Sequence, residues 1–262
     1  MKAILLTLVS LAACTGGERN SANAAERTIL GGAPIESAPA DTYQVRVGGA
    51  VGHLGGMLEV DSAAPAFSAQ ISSSPVAAAQ AATARCLPAL AAATGVAGAV
   101  VWIADIREGK ALPPMRRADL VSQGCRLAPR VQGAITGGAL NVRTVDAAPH
   151  ELRFVRLSDD DTLARVAHAE DRAVVPVDAV LRAPGHIAVR CLRHPGEQAW
   201  VIVLDHPYMT TPDGTGAFEI SDLPAGTYSV LAWHERFGQA AARVSVRAGE
   251  RAFARLKFGT RS

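Results

Sequence analysis

Aromatic residues are scarce in this chain: Phe, Trp and Tyr together make up 5% of its 262 residues. The core therefore has to be filled by Ala, Val, Leu and Ile, and the β-branched members of that set sit best on pleated strands. Runs of one charge are missing too. The 26 basic and 24 acidic residues are interspersed and leave a net charge of +2, so no stretch tracks a phosphate backbone and nucleic acid is not an expected partner. Sustained helical periodicity is lacking, which favours short strands over long amphipathic helices. No apolar run is long enough for a permanent membrane span. There is no Gly-x-Ser-x-Gly elbow and no phosphate loop. His150-Glu151 opens like a zinc-protease helix motif, but Phe154 stands where the second His is needed, on an expected strand. The chain reads as non-enzymatic.

Cysteine is the most informative shortage, with four in the whole chain. The first, Cys14, ends MKAILLTLVSLAAC, which has the charged start, apolar run and small residues of a secretory signal. Leu11-Ala12-Ala13-Cys14 resembles a bacterial lipobox, which implies cleavage before Cys14 and acylation of its thiol. Thr15 follows rather than Asp, implying sorting to the outer membrane, facing the periplasm. Residues 1–14 are thus the signal, and the Gly/Ser/Asn/Ala/Pro-rich residues 15–42 a tether. If Cys14 carries lipid, Cys86, Cys125 and Cys191 remain in an oxidising compartment where thiols pair. Three cannot all pair, and the thiol left over calls for another use such as metal binding.

Beyond the tether, YQVRVGGAVGHLGGMLEV alternates around glycines as short strands do, and VAGAVVWI (96–103) reads as a buried strand. AAAQAATARCLPALAAAT between them has helix propensity interrupted by Pro88. From Leu120 to Leu204, strands are expected at GCRLAPRV, ALNVRTVD, HELRFVRL, AVVPVDAVL, GHIAVRCL and AWVIVLD, a spacing that indicates a sandwich or barrel. TPDGTGAFEISDLPAGTYSVLAW then carries an Asp-Gly turn and a Pro-Ala-Gly turn between alternating apolar residues, a hairpin pattern.

Two resemblances attach to these residues. Asp213-Gly214, Gly216, Phe218 and Leu223-Pro224-Ala225-Gly226-Thr227-Tyr228, with Gly48–Leu54 and Val96–Trp102, resemble the carboxypeptidase regulatory-like domain, a small transthyretin-like β-sandwich without peptidase activity. The part between resembles a cupredoxin. Gln123-Gly124-Cys125, Pro129, Asp146 to His150, Cys191-x-x-His194-Pro195, Trp200, Asp205-His206-Pro207-Tyr208 and Trp233-His234-Glu235 together resemble a periplasmic, methylamine-utilisation-like family. The implied fold is all-β: a cupredoxin-like Greek-key sandwich (109–205) inserted in a discontinuous regulatory-like β-sandwich (43–108 and 206–259).

A blue-copper site needs two imidazoles, a thiolate and a weak axial donor. Cys191-x-x-His194 offers the thiolate and one imidazole from a single loop, and the family pattern implies His150 as the second and a Cys86–Cys125 disulfide that leaves Cys191 free. The chain departs from that pattern in three places: Glu197 stands where the axial Met falls, Glu151 replaces an Asn, and Arg130 replaces a His. A hard, anionic carboxylate at 197 favours Cu(II) with a lowered potential, or Zn(II). The expected function is copper binding through His150, Cys191 and His194 in an envelope lipoprotein, for electron transfer to a redox partner or for holding the ion. The alternative is a metal-free adhesion or scaffold module that binds an envelope protein or glycan. His206 and His234 are expected to be structural, beside Tyr208 and Trp233. His53, His168 and His186 are expected at surfaces or strand ends, and Asp159-Asp160-Asp161 in a solvated turn.

Overall fold

The computed structural model describes residues 43–46, 48–60, 96, 98–168 and 173–259. Cys14, Cys86, the signal, the tether and the Ala-rich stretch with helix propensity lie outside the described residues. Among the described residues eighteen strands follow one another: β1 Gln44–Val45, β2 Val51–Val60, β3 Ala99–Ile103, β4 Glu108–Gly109, β5 Arg117–Ser122, β6 Leu127–Ala128, β7 Val131–Ile135, β8 Ala139–Thr144 and β9 His150–Arg156 come first. Then come β10 Thr162–His168, β11 Val175–Pro176, β12 Gly185–Cys191, β13 Gln198–Leu204, β14 Met209–Thr210, β15 Ala217–Pro224, β16 Gly226–His234, β17 Gly238–Val246 and β18 Arg251–Phe258. One 3-10 turn, Asp178–Leu181, is the only helical element among the described residues. The fold is all-β.

The larger sheets divide the strands into two sets. In the first set, β15-β2-β18 faces β14-β3-β16-β17; in the second, β10-β9-β12-β13-β7 faces β11-β8-β5-β6. Each pair encloses a core: Leu54, Val101, Tyr208, Val230 and Phe258 belong to the first, and Leu120, Leu152, Phe154, Val189 and Val201 to the second. A third apolar layer, with Val100, Trp102, Trp200, Ile202 and Trp233, joins the outer faces of the two sandwiches. All three tryptophans of the chain lie in it.

This layering explains the two most apolar strands. Along β3, Ala99, Val101 and Ile103 enter the first core while Val100 and Trp102 enter the seam. Along β13, Ala199, Val201 and Val203 enter the second core while Trp200 and Ile202 enter the seam. A strand buried on both faces has no position left for a polar residue, so it reads as a continuous apolar run. At the rim of the seam, the Arg130 guanidinium lies 5.1 Å from the Trp200 ring and pairs with Glu235. His186 stands edge-on to Trp102 and Trp233, at 5.8 and 5.6 Å. Burial there pushes its imidazole down to about 4.

Turn chemistry follows the sequence closely. The Asp213 carboxylate accepts the Thr215 and Ala217 N–H groups at 2.8 and 3.1 Å. The Tyr228 hydroxyl donates to the Pro224 carbonyl at 2.8 Å, closing the β15–β16 corner. Gly109 is needed for a different reason: a Cβ there would lie 2.1 Å from the hydroxyl of Tyr208, a fully buried ring.

Several elements differ from the sequence expectation. β17 and β18 lie beyond the last stretch read as strands. β5 and β10 were not signalled either, β5 because its inner positions are Ala118, Leu120 and Ser122, and β10 because a register shift between Thr162 and Ala164 breaks its alternation. AVVPVDAVL, expected as a strand, keeps two strand residues before the 3-10 turn. Pro176 has no N–H for a ladder, and the Asp178 carboxylate accepts the Leu140 N–H instead, at 3.1 Å.

Candidate metal centre

His150 opens β9 and Cys191 closes β12, its antiparallel neighbour, with Cys191 opposite Leu152. Side chains alternate along a strand, so His150, Leu152 and Cys191 all point to the inner face, at one end of the second core. The Leu192 N–H still reaches the Glu151 carbonyl at 2.8 Å. The chain then turns back tightly: the Glu197 N–H donates to the His194 carbonyl at 2.8 Å and the Cys191 N–H to the Glu197 carbonyl at 2.9 Å. This loop folds His194 and Glu197 over the thiol.

Four donor atoms converge. The Nδ1 atoms of His150 and His194 are 3.2 Å apart, and Cys191 Sγ lies 3.9 and 3.5 Å from them respectively. Glu197 Oε2 lies 2.7 Å from His150 Nδ1 and 3.4 Å from His194 Nδ1. With metal–nitrogen bonds of about 2.0 Å and metal–sulfur bonds of about 2.3 Å, tetrahedral donors sit about 3.3 Å (N to N) and about 3.5 Å (N to S) apart. The Nδ1–Nδ1 and Cys191–His194 separations match a single ion; the Cys191–His150 separation is longer, and the Glu197–His150 one is a hydrogen-bond distance that a bound ion would widen. The thiol is free and buried. His150, Cys191 and Glu197 are each 3% exposed or less, and only the His194 side chain, at 14%, keeps an edge to solvent.

The surroundings orient these donors. Asp146, in the β8–β9 loop, accepts the N–H groups of Gly124 and Cys125 at 2.6 and 2.9 Å. Its Oδ2 also lies 3.3 Å from His150 Nε2, within ion-pair range but off line for a hydrogen bond. A carboxylate beside one ring nitrogen favours the proton there and leaves the other nitrogen for a metal. Ser122, ending β5 on the facing sheet, donates to Glu197 Oε1 in a short hydrogen bond. Burial disfavours the His150 imidazolium, but hydrogen bonds to Cys191 and Glu197 outweigh it and raise the group to about 9. Burial likewise works against the Glu197 carboxylate, and the His150 and Ser122 hydrogen bonds overcome it, holding this group below its ordinary value. Without an ion, a proton shared by His150 and Glu197 occupies the centre.

No protein-family model matches the chain, and no curated protein matches it. Solved structures do match, over about a third of it. The reduced state of an amicyanin mutant aligns with 34% of this chain and 82% of its own, at 13% identity and a TM-score of 0.30. Dithionite-reduced auracyanin from Roseiflexus castenholzii aligns with 35% and 99%, at 12% identity and a TM-score of 0.31. A copper-containing nitrite reductase from Thermus scotoductus aligns with 37% of this chain but 24% of its own, at 16% identity and a TM-score of 0.31.

All four metal candidates named from the sequence, His150, Cys191, His194 and Glu197, thus meet at one point. Cys125 does not join them: it is disulfide-bonded, with its partner outside the described residues. A second grouping of Cys125, Asp146 and His150 therefore offers no thiolate. His206 and His234 are structural; their Nδ1 atoms accept the N–H groups of Tyr208 and Arg236 at 3.2 and 3.0 Å. Of the three expected at surfaces or strand ends, His53 is exposed, His168 ends β10 but is buried, and His186 lies against the seam. Burial of His168 follows from its position facing inward opposite His150. Asp159 pairs with Arg156 at 3.0 Å in an exposed turn. Sequence reasoning missed Ser122 and gave Asp146 no role. The signal for Ser122 was a polar residue at an inner position of an apolar alternation, Ala118-Leu120-Ser122.

Proposed function

We propose that the second sandwich is a cupredoxin-like domain that binds copper through His150, Cys191 and His194. The observation that carries this reading is the convergence of two imidazole Nδ1 atoms and a free thiol at 3.2, 3.5 and 3.9 Å. A bound copper ion would supply one-electron chemistry. The chain's own contribution is to hold the donors close together, to bury three of them, and to leave the His194 edge accessible. Supporting the reading further, Asp146 frees His150 Nδ1 and the disulfide at Cys125 keeps that cysteine from competing with Cys191. We take Cys86 as the disulfide partner, because acylation would make Cys14 unavailable. The first sandwich is the regulatory-like domain around it, and the whole is a lipid-anchored envelope protein that holds copper or exchanges electrons with a redox partner.

Adding Cu(II) to the metal-stripped chain should produce a visible thiolate-to-copper band, and Cys191→Ser should abolish it. Lack of copper uptake at stoichiometric concentration refutes the proposal and leaves the metal-free scaffold reading.

A further inference from the structure

Glu197 is placed unlike a weak axial donor. In a blue-copper site the axial group is long and weakly bound. Here the carboxylate oxygen lies 2.7 and 3.4 Å from the two imidazole nitrogens, which are themselves 3.2 Å apart. Both distances place it inside the cluster, the shorter one being a hydrogen-bond contact to His150 that a bound ion would replace.

What fixes it there comes from the opposite sheet. Ser122 is 1% exposed and has three polar atoms in reach: the carboxylate oxygens Glu197 Oε1, in a short bond, and Asp146 Oδ2, at 3.3 Å, and the ring nitrogen His150 Nδ1, at 3.4 Å. A hydroxyl has one proton to donate, and the closest acceptor, a carboxylate, takes it. Asp146 is already served by two backbone N–H groups. The serine itself cannot drift, because its backbone is registered against Thr144 on β8 and Leu127 on β6. Its carbonyl also accepts the Val145 N–H at 2.9 Å.

We propose that Ser122 is a positioning residue for the metal: by occupying Oε1 of Glu197 it commits Oε2 to the two imidazoles, making the carboxylate a full fourth donor. The set then consists of two neutral nitrogens, a thiolate and a carboxylate, whose two negative charges balance a divalent ion. Such a closed, charge-matched set suits Zn(II) or Cu(II) over Cu(I). The site is built to retain a divalent ion more than to alternate between copper oxidation states.

This rests on the metal reading above, and one titration separates the two. The full chain, stripped of metal, is titrated with Zn(II) for affinity and with Co(II) for its visible d–d spectrum. The unaltered chain should show the intense bands of a four-donor tetrahedral set. Ser122→Ala should weaken Zn(II) binding by about 10–100-fold and lower the Co(II) band intensity severalfold. Ser122→Thr, which keeps the hydroxyl, should restore both. Glu197→Gln keeps an acceptor for Ser122 but loses the charge, so it should weaken Zn(II) binding by at least about tenfold; it tests the committed oxygen even where Ser122→Ala does not fold. Uptake of these ions with affinity and spectrum indifferent to Ser122→Ala or Glu197→Gln overturns this inference alone. No uptake of any ion by the unaltered chain overturns it together with the copper reading.

Discussion

The metal-stripped protein should lose stability as the pH rises from 6.5 to 9. The group responsible is His150, whose Nδ1 lies 2.7 Å from Glu197 Oε2 with both side chains fully buried. Its folded-state value is raised from 6.5 to about 9. Below 6.5 the imidazole is protonated in both states, and the stabilisation from the pair is fully present. Between 6.5 and about 9 the unfolded chain has released the proton while the folded chain keeps it. Each pH decade in this window is worth about 1.4 kcal/mol, so the total loss is about 3 kcal/mol. For a chain of this size that is on the order of 10 °C in the melting midpoint. On the acid side the depressed Glu197 works in the other direction: its stabilisation is present above 4.5 and lost as the pH falls below that. Both limbs report the same ion pair and are not to be added. Urea unfolding in a strong chelator at pH 6, 7.5 and 9.5 measures the alkaline limb, and Glu197→Gln should reduce it, the Cys191 hydrogen bond to His150 sustaining the rest. A bound metal takes the place of the shared proton, so in the loaded protein the dependence should invert, with stability rising over the same window. An alkaline limb that is flat, or that survives intact in Glu197→Gln, refutes the picture of a proton held at the metal position.

Two further predictions concern the frame around the site. Trp233→Ala removes a ring packed 6.1 Å from Trp200 and 5.6 Å from His186, at the centre of the seam; it should cost about 3–5 kcal/mol in urea unfolding, and a loss under 1 kcal/mol would mean that the two sandwiches do not depend on this layer. Gly56 and Gly55 form a matched pair. A Cβ on Gly56 would lie 2.1 Å from the Phe218 ring and 2.5 Å from the Ala254 carbonyl, whereas one on Gly55 meets the Arg251 side chain at 3.3 Å and the Ala252 carbonyl at 4.0 Å, an ordinary contact. Gly56→Ala should therefore destabilise by about 1–3 kcal/mol and Gly55→Ala hardly at all, and equal melting midpoints for the two variants would contradict the packing described.

Legibility in the sequence varied with how far each signal travels along the chain. The β3 and β13 runs could be read because burial on both faces leaves an unbroken apolar string, and the Asp213 and Pro224 turns because their chemistry is local. β5 was not legible, since Ala and Ser at inner positions look like a loop. His194 lies in the loop that Cys191 leads into at the end of β12, so their spacing alone proposed them. Their meeting with His150 was available only through a resemblance, because 41 residues separate His150 from Cys191 and strand register alone brings them together.

By itself, the sequence determined the all-β class, the scarcity that makes Cys191 informative, and Cys191 and His194 as donors, because composition, alternation and short-range spacing are written residue by residue; His150 and Glu197 came through the family resemblance. Only the tertiary structure decided what those donors amount to. It set the Nδ1 and Sγ separations, turned Glu197 from a lost methionine into a buried member of the cluster, and brought Ser122 across from the facing sheet to hold it. Contacts of that kind depend on how two sheets stack and in what register, and neither quantity is local to any stretch of chain.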